Sequence, residues 1–123
     1  MSYCFRGPPP ASGEEYSAIL EAADEARSAM LGFMKDYDAI LCPPARHVAP
    51  RHGSTLDEGF DLWSYCTVYN LTGWPAVVVR AGEDANGLPI GVQVVARPWR
   101  EDVALALAAR IETLLGGYRP PTL

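Results

Sequence analysis

The sequence predicts an α/β fold, a partial mixed β-sheet of about three strands flanked by helices. Apolar residues recur with helical and strand-like spacing in the order helix, strand, helix, strand, strand, helix. The 123 residues, 49% hydrophobic and 20% charged, suit one globular unit rather than a disordered chain. So few elements are also thin cover for this much Val, Ile and Leu, so the sheet is expected to need more strands beside it. The chain reads as a single segment, 1–123, with residues 1–12 an extended leader through Pro8-Pro9-Pro10.

Ser12-Gly13-Glu14-Glu15 has capping-box spacing, the Ser12 hydroxyl accepting from the Glu15 N–H while the Glu15 carboxylate reaches back. A helix should follow to about Lys35. Its apolar positions Tyr16, Ile19, Leu20, Ala23, Met30, Phe33 and Met34 fall at three- and four-residue steps, with Glu21, Asp24, Glu25 and Ser28 outside. Such a helix needs a partner surface. Asp38 to Cys42 is a short apolar run stopped by Pro43-Pro44, which suits a strand covered on both faces. Residues 43–60 have no period and read as loop. Asp61 can cap a short helix through about Asn70, with Trp63 and Thr67 on one face; Gly73 and Pro75 end it.

Ala76 to Arg80 is β-branched and reads as a strand, Asn86-Gly87 marks a turn, and Ile90 to Val95 alternates as a second strand. The connection is short enough for antiparallel pairing. The last helix runs from about Glu101 to Leu115, acids at its positive end and Gly116-Gly117 beyond its negative end. Val103, Leu107, Ile111 and Leu114 form its stripe, widened by Leu105 and Ala108, so it is expected to be covered on more than one side.

The net charge of −5, the pI near 4.9 and a single lysine, Lys35, argue against a nucleic-acid partner. Cys4, Cys42 and Cys66 form no CxxC pair and fit reduced thiols in a cytoplasm. Met1 to Glu15 lacks the basic and apolar regions of a signal peptide. The uncharged stretch Leu62 to Val79 reads as two packed elements, not a membrane span. Gly82 and Gly87 lack phosphate-loop spacing, and no cofactor is expected.

Three stretches, in order and spacing, resemble the carboxy-terminal end of the amidase signature family. They are Tyr37-Asp38-Ala39-Ile40-Leu41-Cys42-Pro43, Tyr69-Asn70-Leu71-Thr72-Gly73-Trp74-Pro75-Ala76, and Gly87-Leu88-Pro89-Ile90-Gly91-Val92-Gln93 continuing through Arg97-Pro98-Trp99-Arg100-Glu101. The resemblance spans roughly residues 14 to 116, and Tyr69-Asn70 with Pro98-Trp99 is most like fatty-acid-amide-hydrolase-like members. It implies a large mixed sheet wrapped by helices and hydrolysis of carboxamides by a nucleophilic serine, a second serine in a cis peptide, and a lysine base. Those groups belong to a Gly/Ser-rich signature that this sequence lacks, so no catalytic residue is assigned. Carried over residue by residue, the substrate-binding positions are Trp63, Thr67 and Trp99, lining an acyl channel; the plain alternative is that both tryptophans are core or cover residues. Arg80 stands where the family usually has proline, which puts that strand end in doubt.

Other constellations read as structural. Cys42 ends a strand, with prolines between it and His47. His47, His52, Asp57 and Glu58 share no metal-ligand spacing. Gln93 and Asn70 are expected to satisfy nearby backbone groups, Asn70 holding the Gly73-Trp74-Pro75 turn. Two readings of the whole follow. One is a carboxy-terminal piece of an amidase, inactive alone and completed by another stretch of polypeptide around a small amide substrate. The other is a non-catalytic module that self-associates, or binds a partner chain, through its open sheet edge.

Overall fold

The computed structural model describes residues 10–52 and 64–120. Helix α1 covers Gly13–Phe33 and tightens into a 3-10 turn at Met34–Asp36. Strand β1 (Ala39–Cys42), helix α2 (Ser64–Thr72), strands β2 (Ala76–Glu83) and β3 (Pro89–Ala96), and helix α3 (Glu101–Leu115) follow. The three strands form one sheet in the order β1-β3-β2. Both pairings are antiparallel, β1 included.

The capping box is in place: the Ser12 N–H donates to Glu15 Oε2 at 2.7 Å, and the Glu15 N–H donates to Ser12 Oγ at 3.2 Å. These bonds hold the Glu15 carboxyl below its ordinary range. Asp84 organises the β2–β3 connection, its carboxylate accepting from the Asn86 N–H at 2.9 Å and the Leu88 N–H at 2.8 Å. Asn86-Gly87 marks this turn in the sequence; Asp84 is the residue that closes it.

Register divides the sheet into two faces. Ile40, Val95 and Ala76 lie side by side, so Leu41, Val94 and Val77 point the other way. On the first face Val95 packs with Met34 and Trp74 in the core, joined by Met30, Ile40 and Tyr69. On the second face α3 lies across β2 and β3. Its small residues Ala104 and Ala108 are buried there, close to Val94 and Ala96, which are also buried. Gly91 lets the chain after β1 lie flat on β3, because a Cβ there would meet Val78 Cγ1 at 3.0 Å and Pro44 Cγ at 3.2 Å. Gly116 ends α3 at φ +86°, the left-handed conformation that a helix end takes most readily with glycine.

Three expectations, for β1, α3 and Asn70, need correction. β1 is not covered on both faces: α3 sits over the other two strands, and Leu41 is left 60% exposed. α3 is not covered on more than one side, since Leu105, Leu107 and Leu114 are exposed and only its alanine-lined face meets the sheet. α1 lacks most of its partner surface: Ala23 is its one buried residue, while Tyr16, Ile19 and Leu20 continue the same stripe beyond the body and are exposed. Asn70 is exposed and does not hold the turn after α2. The Tyr69 carbonyl does so, accepting from the N–H groups of Gly73 at 2.8 Å and Trp74 at 3.3 Å. The predicted cap Asp61 lies outside the described residues, as does most of the leader.

Candidate functional site

One polar cluster sits inside the sheet–α2 interface. Gln93 on β3 is 3% exposed and is the buried polar side chain of the described core. Its Nε2 donates to Cys42 Sγ at 3.3 Å and to the Tyr65 carbonyl at 3.4 Å. The Cys66 thiol lies 3.6 Å from Gln93 Oε1 and 3.1 Å from the Pro44 carbonyl. Cys42 Sγ lies 3.8 Å from the Tyr69 hydroxyl. Burial, then the Cys42 hydrogen bond and the electrostatic influence of Cys42 and Cys66, push the Tyr69 hydroxyl up to about 12, so it stays protonated.

This cluster is a tie. Each atom of the Gln93 amide finds a partner, and together they pin α2 to β1 and β3. Among the described residues, no base stands against either thiol. Cys42 meets Tyr69 and Gln93, whereas His47 lines a cleft of about 400 Å³ between residues 43–49 and 89–91. No group of three potential metal ligands exists among the described residues. Asp57 and Glu58 lie outside them.

The candidate substrate contacts are spread over two elements. Thr67 is half-buried on α2, next to the pinned Cys66. Trp99 lies in the connection from β3 to α3 and is 88% exposed, so the described residues do not enclose it. Trp63 lies outside the described residues. Of the three, the described residues place Thr67 on α2 and Trp99 after β3. Trp99 has an unusual backbone, with φ +64°, the left-handed region that costs a bulky residue about 1–2 kcal/mol. Proline just before it was the available signal for a turn. Arg80 does not end its strand: β2 runs on to Glu83 with a bulge between Arg80 and Gly82, and Arg80 Nη2 lies 2.7 Å from Glu83 Oε2. Lys35 is exposed in the 3-10 turn.

The family model for amidases matches residues 10–105. This chain belongs to the amidase family. A fatty acid amide hydrolase of Arabidopsis thaliana is 37% identical over 101 residues, covering 76% of this chain and 17% of that protein. Fatty-acid amide hydrolase 2 of Homo sapiens is 32% identical over 110 residues, covering 89% of this chain and 20% of that protein. Among solved structures, a 6-aminohexanoate cyclic dimer hydrolase superposes with a TM-score of 0.71 at 28% identity, covering 85% of this chain and 25% of that one. A crystal structure of an amidase reaches a TM-score of 0.77 at 22% identity and shares the fold. The chain thus spans about a fifth of the length of the curated relatives it matches. Among the described residues, no helix is long and apolar enough to cross a membrane.

Proposed function

We propose that this chain is a carboxy-terminal segment of a carboxamide hydrolase. The reaction is carboxamide plus water to carboxylate plus ammonia or amine. In it, the segment forms the acyl-facing wall of the pocket through Trp63, Thr67 and Trp99, and the bond-breaking groups lie on another stretch of polypeptide. The observation that carries this reading is the pairing of a TM-score of 0.71 over 85% of this chain with only 25% of the matched hydrolase. The sequence agrees, having one lysine and no Gly-Gly-Ser-Ser-Gly-like stretch. The exposed stripe of α1 and the exposed Leu41 are apolar surfaces of the kind that the rest of such a sheet would cover.

The test has two arms. The 123-residue chain alone is expected to give no turnover of a fatty acid amide. Residues 10–119, put in place of the matching segment of the Arabidopsis thaliana fatty acid amide hydrolase, are expected to restore hydrolysis. Turnover by the isolated chain, or a folded but inactive graft, contradicts the proposal. A well-folded homodimer of the isolated chain would favour the assembly-module reading instead, with β1 as the pairing edge.

A further inference from the structure

Arg97, Pro98, Trp99 and Arg100 form a four-residue turn, closed by the Arg100 N–H on the Arg97 carbonyl at 3.1 Å. Proline fixes a negative φ at the second position, and Trp99 has φ +64° at the third. That combination is a type II turn, whose third position ordinarily takes glycine or asparagine because a Cβ is crowded there. Trp99 is the one non-glycine residue with positive φ among the described residues. Its indole is 88% exposed, so side-chain packing within this chain does not force the backbone into this shape.

The frame around the turn does. Arg100 Nε and Nη2 reach Asp102 at 2.9 and 3.0 Å, a two-pronged contact that fixes the end of the turn. The Arg100 carbonyl accepts from the N–H groups of Val103 at 3.1 Å and Ala104 at 3.3 Å, welding the turn to the first turn of α3. Ala104 is fully buried against the sheet, so α3 cannot swing. On the other side Arg97 Nη2 lies 4.0 Å from Asp38 Oδ1, just before β1. The Arg100–Asp102 and Arg97–Asp38 contacts join side chains, the Arg97–Arg100, Arg100–Val103 and Arg100–Ala104 bonds join backbone, and none of them is made by the indole.

We propose that Pro98 and Asp102 are positioning residues: through the type II turn and Arg100 they hold the Trp99 indole outward, ready for the acyl group of a long-chain amide. The inference rests on the reading of Trp99 as a substrate contact. It adds that the contact is preorganised by residues that never meet substrate. Backbone strain kept at an exposed aromatic is the mark of such a device.

The test uses the Arabidopsis graft with a fatty acid amide as substrate. Asp102→Ala is expected to raise KM about tenfold and to move kcat less than about twofold, as loss of a positioned binding contact should. Asp102→Glu, which keeps a carboxylate within reach of Arg100, is expected to recover most of the loss. Trp99→Ala should raise KM by at least as much, and Asp102→Ala should add nothing to it. If Trp99→Ala raises KM and Asp102→Ala does not, the positioning role is wrong while the pocket reading stands. If Trp99→Ala leaves KM unchanged, the pocket reading fails and takes this inference with it. Should the variant grafts fail to fold, amide relaxation in the 123-residue chain decides: the Trp99 order parameter is expected near about 0.85 and to fall below about 0.6 in Asp102→Ala. An unchanged value overturns the proposal.

Discussion

Under α3 the sheet is closed: Val94, Ala96, Ala104 and Ala108 each keep 3% or less of their surface. Along α1 the reverse holds, with Tyr16, Ile19 and Phe33 each at 58% or more and Ala23 alone buried. Both helices carry an apolar stripe and one well-formed end, the Ser12–Glu15 box on α1 and the left-handed Gly116 on α3, so composition does not separate them. What separates them is contact order in the plain sense. α3 follows β3 directly and folds back on the β2–β3 hairpin, whereas the main described contacts of α1 are with the 3-10 turn, α2 and, through Met30, one corner of the core. Arg27 Nη2, donating to the Leu71 carbonyl at 2.9 Å, is the bond that fastens α1 to α2. On the proposed reading, α3 marks the finished layer of the sheet and α1 the layer that more chain would cover.

The largest effect should come from breaking the finished layer. Ala104→Asp puts an unpaired carboxylate where no water reaches and should cost more than about 4 kcal/mol, enough to unfold the chain in a urea titration. Gln93→Leu strips Cys42, Cys66 and the Tyr65 carbonyl of their shared partner. It should cost about 1–3 kcal/mol by the same measurement. Trp99→Gly runs the other way: relief of the φ +64° backbone should raise stability by about 1 kcal/mol in thermal melts.

Acid sharpens the comparison by loosening surface ties while the α3 layer stays shut. Arg100 beside Asp102 lowers that carboxyl below its ordinary 3.8, and the Leu88 and Asn86 backbone bonds lower Asp84 below 3.8 as well. A depressed carboxyl pKa stabilises the fold above its unfolded value and loses that contribution as pH falls through the folded one. Melting temperature should therefore hold above about pH 4 and sag below it, and Asp102→Asn should flatten part of the sag. At the alkaline end Tyr69, raised from 10.0 to about 12, should withdraw stability as pH climbs through that interval. The smallest effect belongs to the open layer. Ile19→Asp should change the stability of the isolated chain by no more than about 0.5 kcal/mol, yet weaken the graft clearly, because only there is the stripe covered.

The sequence was most legible where local rules decide. Ser12 and Glu15 announce the first helix, Glu101 and Gly116 bracket the last, and the alternation from Ile90 to Val95 sets the second hairpin strand. It was least legible where tertiary context decides. Nothing in the run Ala39–Cys42 says which neighbours cover it, so the exposure of Leu41 had to be seen. The partnership of Gln93 with two thiols joins residues 27 and 51 positions apart. The left-handed backbone of Trp99 contradicts residue preference outright, and Pro98 hinted only at a turn. Of the three residues that the family resemblance offered for the pocket, Thr67 and Trp99 can be placed in the structure.

The two rims of the sheet are guarded unequally. β2 is interrupted by a bulge between Arg80 and Gly82 and carries Arg80 paired with Glu83, features that discourage a stray strand from lining up. β1 offers four residues, Ala39-Ile40-Leu41-Cys42, with no charge and no bulge. Made without a covering chain, the polypeptide presents a template on which extended segments of its neighbours can stack. On the proposed reading, pairing with a complementary chain and growth of aggregates then compete for the same edge. A charged replacement such as Leu41→Lys should tilt that competition toward soluble protein.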